Sequence, residues 1–460
     1  MFKLAGGLFF LAAIIATLLL IVPPPEGVAP ATMRAGAVMV LGIGLWATNI
    51  VPSHYGALIF VFAAMVLAVA PAKVVFSGFA SGAVWLVFGG IVIGLAVKRT
   101  GLDMRLAAPF LNRLPHNLLT ITYGIFWISA SLGFVIPSAA GRVALLVPIL
   151  LALARRLGFD GGSKGETGLV LAGTMGTMIP AFAILPANVP NMSLFGAMES
   201  VHGVSLAYGE FLFLNFPVLS GGALLIYPLL IWVLFREPLN PSGNGSEATP
   251  WSAFDRHLMI ILGAALILWI TDTIHGISPA WVALGAALLC TAPRIGMLPA
   301  RAHGEDVNYG PLLYVAAIIG FGAVATVSGA GTLIADNLLA AVNLEPGAEF
   351  LNYLFMTGLA VIVGIFTTMP AQAAVLVPMA EAMADASGWD LISVVMTGVP
   401  TWSIMLFPYQ GPPLILALAL SNMRITWLTK TLVGYFIVAC LILLPLHYFW
   451  GQMLGYFGAV

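Results

Sequence analysis

The sequence predicts an all-α polytopic membrane protein, about 11 transmembrane helices plus two re-entrant hairpins in an inverted repeat, and three observations carry that prediction. Of 460 residues 61% are apolar and only 8% charged, against roughly 25% charged in a soluble domain. The apolar residues fall in long runs, most of them near the length of about 20 residues that a bilayer-crossing helix needs. The 50 glycines and 30 prolines interrupt these runs, which a membrane helix tolerates when the freed backbone groups find partners. No room is left for a large soluble domain. A net charge of −1 and the absence of any basic run longer than two residues exclude nucleic acid as a partner, leaving lipid and small solutes. Cys290 and Cys440 both lie in apolar stretches, which excludes a disulfide framework or a CxxC metal site.

Taken in order, the first run, Lys3 to Val22, has the basic start and apolar body of a signal peptide. Its length exceeds an h-region and no A-x-A site follows, so it reads as the first transmembrane helix. Further runs fall at about 33–51, 54–71, 82–97, 116–154, 167–198, 209–235, 257–274, 277–293, 310–328, 350–380, 391–422 and 428–450. Three are too long for one straight span. The run 116–154 is interrupted at Gly133 to Gly141, 350–380 at Gly364 to Pro370, and 391–422 at Pro408 to Pro413. Such a break marks either a re-entrant hairpin or a discontinuous helix, and local pattern does not separate the two.

Charge does. With 116–154 and 350–380 as hairpins, fourteen of the 17 Lys/Arg residues, Arg105 and Arg113 among them, fall on one side. Arg34 and Lys73 fall on the other, and Arg142 is left within an apolar run. The positive-inside rule makes the basic side cytoplasmic. That places the chain in the cytoplasmic (inner) membrane with its N-terminus inside and its C-terminus outside. The outer side is acidic around the second hairpin, with Asp336, Glu345, Glu349, Glu381, Asp385 and Asp390. Trp251, Trp427 and Trp450 fall where an interfacial belt is expected.

An offset of 230 residues lays Ser138-Ala-Ala-Gly-Arg-Val-Ala-Leu-Leu-Val-Pro148 on Thr368-Met-Pro-Ala-Gln-Ala-Ala-Val-Leu-Val-Pro378. Gly101 falls on Gly331, before Thr332, and the break at Pro186 to Asn191 meets, a few residues shifted, that at Pro408 to Pro413. Residues 1–235 form a first repeat, with a hairpin at about 116–155 and a broken helix at about 167–198. Residues 236–256, including the polar stretch Glu237 to Pro250, form a cytoplasmic linker. Residues 257–460 form the second repeat, with a hairpin at about 350–380 and a broken helix at about 391–422. Hairpins opening to opposite faces make the repeat inverted, an architecture of secondary transporters with the site at the midplane. Some channels carry internal duplications too.

Gly44-Leu-Trp46-Ala-Thr-Asn-Ile-Val-Pro52 and the stretch from Phe76-Ser-Gly-Phe through Gly89-Gly90 to Thr100-Gly-Leu resemble the second and fourth helices of the divalent anion/sodium symporter family. The resemblance covers nearly the whole chain. The family's Ser-Asn-Thr triplets at the hairpin tips fall on Ser138, Ala139, Ala140 and on Thr368, Met369, Pro370. Its helix breaks fall on Asn188, Val189, Pro190, Asn191 and on Gly411, Pro412, Pro413, Leu414. A hydroxyl is kept at each first tip position; the amide and second hydroxyl are lost. The resemblance implies substrate contacts at Ser138, Ala139, Ala140, Asn188, Asn191, Thr368, Gln410, Gly411 and Pro412. It also implies sodium sites near Ser138, Thr174, Thr177 and Asn188 and near Thr368, Tyr409 and Gly411, with no other cofactor, and a homodimer joined through the scaffold halves. The lost tip residues weaken the match to sodium binding.

Chemically, each tip presents unpaired helix N–H groups at the midplane, where an anion binds readily. Arg142 lies one turn into the first of these helices, and burying it in hydrocarbon costs about 2.5 kcal/mol or more. It therefore faces an anion or a wet cavity, its planar fork suiting a carboxylate or sulfate, or it pairs with backbone carbonyls of the adjacent broken helix. At the symmetric position, Gln372 either contacts substrate or bonds between helices. No carboxylate or histidine falls at midplane depth, so a proton relay has no carrier, and Arg142 is a candidate replacement for the first sodium.

The function expected is secondary active transport of small divalent organic anions (di/tricarboxylates), by sodium-coupled symport or exchange, with the elevator-like motion that the resemblance implies. Sulfate, a sulfonate or another oxyanion is an alternative cargo, and an anion channel an alternative class. An enzyme would need a nucleophile or a His/Asp/Glu cluster at membrane depth, and none is visible; no GxxxxGK[ST] phosphate loop occurs.

Overall fold

The computed structural model describes residues 2–458 except 49, 103–116, 137, 240–251, 300, 332, 334–343 and 422. Arg105, Arg113, Trp251, Thr332, Asp336 and most of the predicted linker therefore lie outside the described residues. What is described is all-helical, with no strand. The principal helices are α1 (Phe2–Ile21), α2 (Pro30–Thr48), α3 (Ser53–Val66), α4 (Gly82–Thr100), α5 (Leu118–Ser131), α6 (Ala139–Arg156), α7 (Lys164–Met178), α8 (Val189–His202) and α9 (Tyr208–Phe235). They continue with α10 (Ala253–Ile270), α11 (Pro279–Thr291), α12 (Gly310–Val327), α13 (Glu349–Phe366), α14 (Met369–Leu376), α15 (Ala380–Ser387), α16 (Leu391–Ser403), α17 (Pro412–Leu420) and α18 (Ile425–Met453). Among the described residues α4, α9, α10, α12 and α18 are each long and apolar enough to cross a membrane.

The long apolar runs break where glycine and proline predict. Residues 132–138 separate α5 from α6, and only Thr367 and Thr368 separate α13 from α14. Both breaks reverse the chain. Gln372 donates to the Ala360 carbonyl at 2.5 Å, whereas a continuous helix at about 1.5 Å per residue would hold these residues about 18 Å apart. In the first pair, Ile125 and Leu150 meet over one point of α7, within 4 Å of where a Cβ on Gly173 would stand. A Cβ at Gly176 would lie 2.6 Å from the Phe126 carbonyl oxygen, so the glycines of α7 let the hairpin lie flush against it.

Two boundaries differ from expectation. The first helix break begins at Ile179, earlier than Pro186, as two short 3-10 turns, Pro180–Ala183 and Leu185–Ala187. The second hairpin runs on beyond residue 380 through a 3-10 turn into α15.

Helices α9 and α18 run antiparallel. Helices α9 and α18 each contain one π-helical turn, Phe216–Ser220 and Ala439–Leu443, at equivalent places in the two halves. They pack on each other with Phe213 beside Trp450, Gly222 on Leu443, Tyr227 against Tyr435 at 4.3 Å between rings, Leu230 on Gly434 and Phe235 beside Trp427. One residue number rises as the other falls, the signature of antiparallel helices.

The halves also interlock. Helix α4 of the first half lies against α11 of the second, with Gly89 on the Ala283 backbone. In the mirror contact, α12 of the second half lies on α3 and α2, where Phe321 meets Phe60 of α3 and Trp46 of α2 at 5.4 and 5.5 Å between rings. Likewise α8 packs on α14, and α17 on α6.

Candidate functional site

The first tip is built by an N-cap. Ser138 Oγ accepts from the Gly141 N–H at 3.1 Å and starts α6. The N–H groups of Ala139 and Ala140 keep no partner among the described residues, as helix geometry dictates, and Ala140 and Gly141 are exposed.

One turn further Arg142 is wholly buried. Its Nε donates to Thr177 Oγ1 at 2.5 Å and one terminal nitrogen to the Thr177 carbonyl at 2.9 Å. The other terminal nitrogen donates to the carbonyls of Ile136 and Ala187, the latter at 3.2 Å. Of the five donors of a guanidinium four are thus used, three tying the tip to the adjacent broken helix at Thr177 and Ala187 and one closing the hairpin's own turn at Ile136, which is the carbonyl-pairing reading of this residue. No carboxylate pairs with it: among the described residues the one ion pair is Arg301 with Glu305, both exposed. Ending α7 at Met178 frees the carbonyls that Arg142 and the break's own amides then take up.

Those amides are Asn188 and Asn191. Asn188 caps α8 by accepting from the Asn191 N–H at 3.1 Å, and donates to the Ala181 carbonyl at 2.8 Å. Asn191 donates to the Ile184 carbonyl at 2.8 Å. Thr174, one turn before Thr177, is buried with its hydroxyl unpartnered among the described residues.

The second half repeats the scheme without the charge. Gln372, the mate of Arg142, donates to Thr401 Oγ1 at 2.8 Å as well as to Ala360, so in each half the fourth helix residue of the tip bonds a threonine hydroxyl of the broken helix. Gln410 donates to the Gly364 carbonyl at 2.8 Å and accepts from the Leu406 and Phe407 N–H groups, each at 2.8 Å. Thr368, buried, shares a hydrogen bond of 2.8 Å with Tyr314 of α12. Proline at 370 removes one N–H from this tip. The side chains of Tyr409 and Pro412 lie outside the described residues.

The two constellations meet in the middle. A Cβ on Gly411 would lie 3.0 Å from Met178 Cε and 3.3 Å from Met369 Cε, so the second break touches both the first break and the second tip. Phe182 of the first break stands 6.2 Å from the Trp402 ring. The structure therefore brings Ser138, Arg142, Thr177, Asn188 and Asn191 into one cluster and Thr368, Gln372, Gln410 and Gly411 into a second, adjoining one. Thr401 and Tyr314 were not singled out from sequence. An offset of 224 residues beyond the hairpins, rather than 230, places Thr177 on Thr401; nothing in the sequence points to Tyr314.

The comparisons with known proteins agree with this architecture. A membrane protein of Cupriavidus necator is 23% identical over 397 residues, 81% of this chain and 77% of its own. The L-tartrate/succinate antiporter of Escherichia coli K12 is 26% identical over 210 residues, 42% of each chain, so the match spans less than half of either. The solved structure of Neisseria gonorrhoeae MtrF, reported as illuminating a class of antimetabolite efflux pumps, matches with a TM-score of 0.50 at 14% identity, covering 97% of this chain and 94% of MtrF; at that identity the likeness shows the fold alone. Residues 3–457 match the family described as the sodium:sulfate symporter transmembrane region. The chain belongs to that family, the divalent anion/sodium symporters that its second and fourth helices resemble, and is a membrane transporter.

Proposed function

We propose that this protein is a secondary carrier of small divalent organic anions that works by exchange, with Arg142 standing where a coupling sodium ion would otherwise sit. One observation carries the reading: a buried guanidinium, without a carboxylate partner, holds the carbonyls of Ile136, Thr177 and Ala187 and the Thr177 hydroxyl. Oxygens of this kind suit a hard cation. A sodium ion sharing them would lie about 4 Å from the guanidinium, a repulsion of about 4 kcal/mol at an effective dielectric constant of 20. The residues present at the first site therefore do not fit sodium.

A covalently attached cation supplies charge but cannot dissociate on the far side, so it transmits no ion gradient. Exchange of one dianion for another needs none. The substrate carboxylate is anchored by the unpartnered N–H groups at Ala139 and Ala140 with the Arg142 charge beneath them, and the second tip supplies a neutral counterpart. The antiporter relative supports a dicarboxylate cargo. The family's description favours sulfate as the second reading. Elevator-like movement of the hairpins and broken helices, a cytoplasmic N-terminus and external C-terminus, and a homodimer belong to the same proposal.

Uptake of labelled succinate by purified protein in liposomes tests it. We expect uptake that requires trapped unlabelled succinate and is indifferent to sodium. Sodium-driven accumulation in empty vesicles refutes the exchange reading, and transport of sulfate without succinate moves the cargo to the second reading.

A further inference from the structure

Three helix ends converge at one corner of the bundle, and two arginines there have no acidic partner among the described residues. The C-terminus of α9 lies beside the N-terminus of α18, with the Phe235 and Trp427 rings 5.8 Å apart. The start of α7 joins them, since a Cβ on Gly168 would stand 3.0 Å from Phe235 Cβ. Arg236 lies over the Trp232 ring at 5.8 Å and Arg424 over the Trp427 ring at 5.3 Å, and both arginines are exposed. Glu237, the neighbouring carboxylate, accepts instead from the Gly165 N–H at 2.6 Å. Neither arginine forms an ion pair among the described residues.

We propose that Arg236, Arg424 and the open N-terminus of α18 form a headgroup site for an anionic phospholipid. The cation–π contact with tryptophan holds each guanidinium in place and leaves its N–H fork free for phosphate oxygens. The N-terminus of a long helix adds backbone donors and partial positive charge to the same spot. Arg424 precedes the first residue of α18 without a side-chain cap; the Trp427 N–H turns back to the Arg424 carbonyl at 3.0 Å, and the N–H groups of Ile425 and Thr426 remain available. The source is a lipid rather than free phosphate because an apolar surface runs on from the site. Val233 and Leu234 on α9 and Val433 and Ile437 on α18 are exposed, as acyl chains leaving the headgroup require. Trp232 and Trp427 then mark the depth of the interface.

Native mass spectrometry of the full-length protein in mixed micelles tests the site, comparing phosphatidylglycerol with phosphatidylcholine. Two juxtamembrane basic residues together give about a thirtyfold preference for an anionic surface. The expected result is that wild type retains phosphatidylglycerol about tenfold or more over R236Q/R424Q. The variant changes exposed side chains only, and an unaltered size-exclusion profile verifies its fold. K98Q/R99Q, which removes the same charge from another exposed helix end, should retain lipid as wild type does. Equal retention by R236Q/R424Q, equal loss in K98Q/R99Q, or displacement of the lipid by millimolar inorganic phosphate would each overturn the proposal.

Discussion

Replacing Arg142 by serine removes four hydrogen bonds and strands the buried carbonyls of Ile136, Thr177 and Ala187. Interhelical bonds in membranes average about 0.6 kcal/mol, and a stranded buried polar group costs about 1–3 kcal/mol. The variant should therefore be less stable than wild type by an amount between roughly 2 kcal/mol, from the four bonds, and roughly 9 kcal/mol, from the three stranded carbonyls. The vacated oxygens would then be free for a cation. At about 100 mM sodium and a dissociation constant of about 10 mM, mass action returns about 1.4 kcal/mol, an elevenfold shift toward the folded form. Denaturant unfolding in micelles, run in sodium chloride and in choline chloride, measures both quantities. Wild type should unfold identically in the two salts, and R142S should be weaker in choline and partly restored by sodium. Sodium stabilisation of wild type by a similar amount refutes the idea that the guanidinium occupies the cation's place, as does an R142S protein as stable as wild type.

Other consequences are open to test. Tyr314→Phe and Thr368→Val each remove the one hydroxyl pair between α12 and the second tip, so each should lose about 1 kcal/mol; a double variant no worse than either single one, by unfolding midpoints, shows that the pair is a unit. Gly176→Ala places a Cβ 2.6 Å from a backbone oxygen of α5 and should cost about 1–3 kcal/mol. Gly94→Ala, with nothing within 4 Å, should be neutral or slightly stabilising in the same assay. Gln410→Met leaves the Gly364 carbonyl and two N–H groups unpaired and should reduce exchange in liposomes at least tenfold while expression persists. Full exchange activity in that variant would mean that the second break needs no internal tie.

Much of this architecture is legible in the residues, because glycine and proline mark both hairpin tips and the second break, and charge separates hairpins from through-going helices. The equivalence of Arg142 and Gln372 follows from one alignment offset. The early start of the first break at Ile179 is hidden because its residues, Ile179 to Ala187, are as apolar as a helix; only their backbone departs from one. The roles of Asn188, Asn191, Gln372 and Gln410 are hidden for a related reason. An amide at midplane depth reads as a substrate contact, yet here each donates to a backbone carbonyl, Asn188, Asn191 and Gln410 to ones released by a break and Gln372 to Ala360 within α13. Composition reports that the group is there, not which way it points. The π-helical turns in α9 and α18 sit beside prolines, Pro217 within the first and Pro445 two residues after the second, where the missing N–H interrupts the helical ladder.

The interlocking of the halves bears on how the chain is made. Helix α4 leaves the ribosome about 190 residues before α11, the helix that covers its glycine face. At 5–20 residues per second, that is a wait of about 10–40 s. During it the first half stands in the membrane with α4 and α8 facing lipid or an insertion partner, so assembly cannot proceed one half at a time. A chain stopped at the linker should be held by the insertion machinery or degraded, and supplying the second half as a separate polypeptide should rescue it only if both are present together.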